Sequence, residues 1–94
     1  MIQKRRYKHA GKLQQFSGAA AWIYLPIPTE KIPDVPRAGW GSVPLTVTLG
    51  KTTWETSIFP MGQGHYFIPV KRQVCRAEGV DEGDEVALSY VVRR

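Results

Sequence analysis

From Val43 to Leu49 the chain alternates without a break. Val43, Leu45, Val47 and Leu49 fall on one side, and Pro44, Thr46 and Thr48 on the other. A period of two over seven residues is the mark of a half-buried β-strand and is incompatible with an amphipathic helix. Gly50-Lys51 then leads into Thr52–Phe59, where Trp54, Thr56 and Ile58 oppose Glu55, Ser57 and Phe59. A two-residue connection led by glycine fits a type II′ hairpin. The same period returns near the end, where Val86, Leu88, Tyr90 and Val92 oppose Glu85, Ala87, Ser89 and Val91.

Other segments follow this pattern less cleanly. Tyr7 to Phe16 reads as a strand anchored by Leu13, with Gly11 at a bulge, and Ser17-Gly18 makes the turn. Ala19 to Leu25 reads as a strand with Trp22 and Tyr24 on one face, Ile23 and Leu25 on the other, ended by Pro26. Pro26, Pro28, Pro33 and Pro36 leave room for at most one helical turn, near Thr29–Ile32, before Gly41. Pro60, Gly62 and Gly64 form a turn before a short strand over His65–Pro69. One helix is expected over residues 70–78, with Val70, Val74 and Ala77 inward and Gly79 as its stop. Ninety-four residues allow one domain. The reading is all-β: a small six-stranded β-barrel over residues 7–92, preceded by a basic, solvated strip over residues 1–6. The expected core is Leu13, Trp22, Val43, Leu45, Val47, Ile58, Phe67, Val74, Val86 and Leu88.

The net charge of +5 has one source. Lys4, Arg5, Arg6, Lys8 and Lys12 stand in the first twelve residues with no acid among them, and removing those five from the 13 cations leaves eight against eight acids. The body is therefore neutral, with a local acidic group at Glu78, Asp81, Glu82, Asp84 and Glu85. The basic strip is either a solvated terminus or an anion-binding arm, and nucleic acid is its natural target. No apolar run is long enough for a membrane span, and no signal-peptide core follows the basic start. A cytoplasmic protein, monomeric or weakly dimeric, is expected. The single cysteine, Cys75, rules out an internal disulfide.

Catalytic motifs are weak. Gly50-Lys51-Thr52 lacks the earlier glycine of a phosphate loop, because position 45 is Leu, and Gly62 and Gly64 lack the third glycine of a dinucleotide fingerprint, because position 67 is Phe. His9, His65 and Cys75 are scattered, so no metal and no cofactor is expected. No serine sits in a nucleophile elbow. The expectation is a non-enzymatic protein; the rival is a small hydrolase or transferase with Lys71, His65 and Cys75 as its polar centre.

The candidate binding residues are Trp40, Trp54, His65, Tyr66, Lys71 and Arg72, which combine aromatics and cations near predicted turns. The alternative reading makes Trp54 barrel core and Trp40 a plug for the proline-rich loop. Lys4, Arg5, Arg6, Lys8 and Lys12 are the candidate nucleic-acid contacts.

Ala21-Trp22-Ile23-Tyr24-Leu25-Pro26, Gly39-Trp40-Gly41-Ser42-Val43-Pro44-Leu45-Thr46-Val47, Trp54-Glu55-Thr56-Ser57-Ile58-Phe59-Pro60 and Tyr66-Phe67-Ile68-Pro69-Val70-Lys71 occur in this order. With Gly79-Val80, Gly83-Asp84 and Val86 they resemble, over about residues 7 to 92, the bacterial family known as domain of unknown function nineteen-oh-five. The resemblance implies a double-split β-barrel, related in fold to AbrB- and MazE-type regulators and antitoxins, with no established activity. Family members often precede a bacteriocin-protection domain. The chain departs from the family at Cys75, where an arginine is usual, and in its proline-rich stretch before Gly39. Three functions are therefore carried: an interaction or accessory module with an unknown protein partner, a nucleic-acid-binding regulator of AbrB-like fold, and a binder of small anionic ligands.

Overall fold

The computed structural model describes residues 5–17 and 22–93. Its elements are β1 (Tyr7–Lys12), β2 (Gln14–Gln15), β3 (Ile23–Ile27), β4 (Val43–Leu49), β5 (Thr52–Gly62), β6 (His65–Pro69), α1 (Arg72–Glu78) and β7 (Glu85–Val92). The strands form one antiparallel series in the order β1-β7-β4-β5-β6-β3-β2. Its two ends, β1 and β2, are consecutive pieces of the same stretch of chain, so the sheet curls into a nearly closed barrel.

Seven strands stand where the sequence predicts six because Tyr7–Phe16 breaks at Leu13. The first half pairs with β7 and the second with β3. Leu13 turns inward at the break; its N–H donates to Asp84 at 3.0 Å, and its carbonyl accepts from the Gly83 N–H at 2.8 Å. Gly11 is no bulge and stays in the ladder opposite Val86. A Cβ there would lie 3.3 Å from Leu25 Cδ1, so glycine lets β1 approach β3 closely.

The β4–β5 hairpin forms as the alternation predicts, with Val47 opposite Trp54 and Leu45 opposite Thr56. Gly50 takes φ 59° while Lys51 keeps a negative φ, as a glycine-led hairpin turn requires. The Glu78 carboxylate accepts from the Lys51 N–H at 3.3 Å and from the Thr52 hydroxyl at 2.5 Å, locking this turn to α1. The triplet Gly50-Lys51-Thr52 is thus a clasped turn rather than a phosphate cradle. Helix α1 starts at Arg72 and not Val70, because the Val70 N–H is still in the sheet, bonded to Ile23 at 2.9 Å. Gly79, at φ 68°, ends the helix.

Other expectations change. Pro26 lies inside β3 rather than after it; β2 reaches only Ile23 and Tyr24, so β3 is laddered on one side at Pro26, where a missing N–H is tolerated. A second 3-10 turn, Gly39–Gly41, joins the one at Thr29–Lys31. Trp22 is not core: it is 57% exposed, because Ile23, Leu25 and Ile27 take the inner face of β3 and the alternation sends Trp22, Tyr24 and Pro26 outward. Phe67 is half-buried on the outer face for the same reason, with Ile68 inward. Leu13, Val43, Leu45, Val47, Ile58, Val74, Val86 and Leu88 form the expected core with Trp54, Tyr90, Ile23, Leu25, Ile27, Ile68 and others. The described residues contain no helix long and apolar enough to cross a membrane.

An outer aromatic face with a groove at each end

Strand alternation assembles the candidate site. With aliphatic side chains filling the barrel, the opposite faces of β2, β3, β6 and β5 carry rings. Phe16 stacks on Tyr24 with centroids 4.1 Å apart, and Phe67 meets both edge-on at 5.2 and 5.5 Å. Phe59, opposite Phe67 in the ladder, extends the row at 5.8 Å. Trp22 stands beside it, its carbonyl accepting the Phe16 N–H at 2.9 Å. The row runs from Phe16, just after β2, across β3, β6 and β5, and each of its four rings is half-buried.

A groove opens at either end of the β3–β6 pair. The first, about 540 Å³, lies where β3 begins and β6 ends; Trp22, Ile23, Phe59, Pro69 and Val70 give it apolar walls, and Thr56, Lys71 and Arg72 its polar groups. The second, also about 540 Å³, lies at the other end, lined by Tyr24, Pro26 and Ile27 with His9, His65, Tyr66 and their neighbours. Neither is lined by a carboxylate among the described residues. Burial, and then Lys31, hold the His9 imidazole below its ordinary value, with Glu30 opposing, so it is neutral at pH 7. The Arg37 guanidinium sits 5.4 Å over the Tyr66 ring.

The predicted binding residues are divided among four places. Lys71 and Arg72 line the first groove, and His65 and Tyr66 the second. Trp54 is buried in the core, where its Nε1 has no hydrogen-bond partner. Trp40 does not plug the proline-rich loop: it is 90% exposed, held at φ 63° between Gly39 and Gly41. The predicted nucleic-acid residues follow β1. Arg5 lies 4.8 Å over the Tyr7 ring, Arg6 donates to the Ser89 hydroxyl at 3.3 Å, and Lys8 and Lys12 are exposed beside β7. Lys4 lies outside the described residues, as do residues 19–21 at the start of the predicted second strand.

The rival polar centre does not assemble. His65 and Lys71 belong to different grooves, and Cys75 is buried on α1. Burial pushes the Cys75 thiol up, Asp81 adds to this and Arg72 opposes it, so the thiolate is disfavoured. Among the described residues no three His, Cys, Asp or Glu side chains converge as metal ligands.

Sequence reasoning passed over Phe16, Trp22, Tyr24, Phe59 and Phe67 as a set, and His9 as the neighbour of His65 in one groove. The signal was present in β3, where aromatics and aliphatics segregate to opposite faces. Assigning the aliphatic face to the core would have sent Trp22 and Tyr24 outward.

The model of the family described as "Domain of unknown function (DUF1905)" matches residues 10–89, and the chain belongs to that family. No curated protein and no solved structure matches it.

Proposed function

We propose that this member of a family without a described function is a non-enzymatic interaction module that receives an extended segment of a partner protein on its outer aromatic face. The observation that carries this reading is the unbroken row of Phe16, Tyr24, Phe67 and Phe59, flanked by an exposed Trp22, on a sheet face that no other described element covers. Exposed aromatic surface of this kind marks binding sites in soluble domains. The β3–β6 pair joins the two grooves over about five residues, roughly 17 Å at 3.3 Å per residue, the span of a short extended peptide. Lys71 and Arg72 give this groove a positive charge that favours a segment carrying an acid.

A nucleic-acid regulator would need cations and stacking rings on one surface. Here only Lys71 and Arg72 stand beside the rings of the row, while Arg5, Arg6, Lys8 and Lys12 accompany β1 beside β7. Two cations at one end of the row suit a single acidic group of a protein segment better than a run of phosphates. Closure by β1 and β2 leaves little strand edge to satisfy, which supports a monomer or weak dimer. The single free thiol fits a cytoplasmic setting.

Selection of random peptides against the full chain tests the reading. Enriched peptides are expected to combine apolar residues with Asp, Glu or a free carboxylate. Their affinity should fall at least tenfold in Trp22→Ala and stay level in Lys8→Ala/Lys12→Ala. Failure to enrich any sequence, alongside salt-sensitive binding of a DNA or RNA oligonucleotide lost in the β1 double variant, would overturn it.

A further inference from the structure

We infer that the groove between Trp22 and Phe59 is a terminal-carboxylate subsite, which takes the last residue of the partner segment with its apolar side chain between the rings and its carboxylate at Lys71 and Arg72. This rests on the reading that the aromatic face binds a polypeptide, and adds which end of that polypeptide is held and where.

Three features of the groove carry it. Its walls are apolar on both sides, Trp22 and Phe59 with Pro69, so they receive a hydrocarbon or aromatic body and not a bare ion. Its cations are consecutive and leave the sheet from a defined backbone: Val70 remains in the ladder through its bond to Ile23, Lys71 is extended at φ −62° and ψ 146°, and Arg72 opens α1. A guanidinium offers a carboxylate two parallel N–H donors and the ammonium beside it a point charge, a pair suited to one two-oxygen anion. Third, the platform ends here. At Lys71 the chain leaves the sheet and turns into α1, which packs on β5, so a segment lying along β3 and β6 reaches the cations at its last residue.

The far groove sets the direction. Its lining polar groups are phenols, imidazoles and the Gln14 amide; Arg37 lies over the Tyr66 ring and Lys31 acts on His9, but neither lines the groove as Lys71 and Arg72 line the first. A segment bound with its C-terminus at Lys71 therefore meets the far groove with its earlier residues.

N-acetyl-tryptophan and N-acetyl-tryptophanamide share one body and differ in the carboxylate. Titrated into the full chain and followed by amide chemical shifts, the acid is expected to bind at least tenfold more tightly, with shifts at Ile23, Phe59, Val70 and Lys71. Lys71→Gln/Arg72→Gln, at two exposed positions, should erase the preference while leaving the weaker binding of the amide in place. Equal binding of acid and amide, or shifts confined to the His9 and His65 groove, would overturn the subsite. Selected peptides give the second arm. Amidating their C-termini should cost at least tenfold; amidated peptides with an internal Glu that bind as well as free acids would overturn the terminal-carboxylate claim while leaving the interaction module standing. Absence of any selected peptide would instead remove the module itself, and this subsite with it.

Discussion

The Tyr90 hydroxyl donates to the Lys31 carbonyl at 2.7 Å, tying the inner face of β7 to the 3-10 turn of the proline-rich loop, 59 residues away in sequence. The Tyr90 ring is almost wholly buried and stacks on Tyr7 with centroids 5.6 Å apart. Burial, and then Tyr7, push its phenol far above the usual tyrosine range, so it stays a donor wherever the fold is stable. Four prolines limit the loop's own backbone bonding, and this side chain supplies one anchor in its place.

Tyr90→Phe keeps the ring and its packing but leaves the Lys31 carbonyl without its partner. The expected cost is about 1–2 kcal/mol. Urea unfolding should show a lower midpoint with an unchanged slope. An unchanged midpoint would mean that the loop is held by its packing alone.

Much of this fold was legible because its cause is local. The alternation of Val43–Leu49 and Glu85–Val92, the Gly50 turn and the Gly79 stop each follow from a few adjacent residues, and each stands in the structure. The break at Leu13 was not legible: it depends on bonds to Gly83 and Asp84, which only the closed barrel brings near. The outer face was not legible for a related reason. Alternation alone does not say which side of a strand is inward: the expected core includes Trp22 and Phe67, whereas the barrel interior is filled by Ile23, Leu25, Ile27 and Ile68, the other face of the same strands. Lys71 and Arg72 were picked for their charge, and the structure gives them the aromatic company of Trp22 and Phe59 instead of Trp40 and Trp54.

At Gly50 a Cβ would run into the Glu78 carboxylate, and φ of 59° is unfavourable for a side chain. Gly50→Ala is expected to destabilise by about 1–3 kcal/mol. Glu78→Ala removes the obstacle as well as the clasp on Lys51 and Thr52. The double variant should therefore lose less than the sum of the two single losses. Additive losses would show that backbone conformation alone sets the cost.

Trp54 buries a large ring whose Nε1 has no partner. Trp54→Phe forfeits no hydrogen bond and is expected to cost no more than about 1.5 kcal/mol, against about 3–5 kcal/mol for Trp54→Ala, which opens a cavity in the core. Calorimetry on both variants measures the difference. Equal losses would point to a bond from the indole N–H that the structure lacks.

His9 gives the fold a pH dependence of defined sign. Its folded value lies below the ordinary 6.5, so as pH falls the unfolded chain takes up a proton before the folded chain does. The stability due to neutral His9 is thus complete above about 6.5 and is lost as pH drops through the lower folded value. Thermal unfolding between pH 8 and 5 should show wild type losing more stability than His9→Gln over the acid half of the range. Parallel curves would contradict this.

The most direct test of the binding face is an amide footprint of the full chain with a peptide from the selection. The account predicts shifts at Trp22, Tyr24, Phe59, Phe67 and Val70, with Lys8, Ala10, Lys12 and Ser89 on the β1–β7 side unmoved. A footprint centred on β1 and β7, with the aromatic row unchanged, would contradict it.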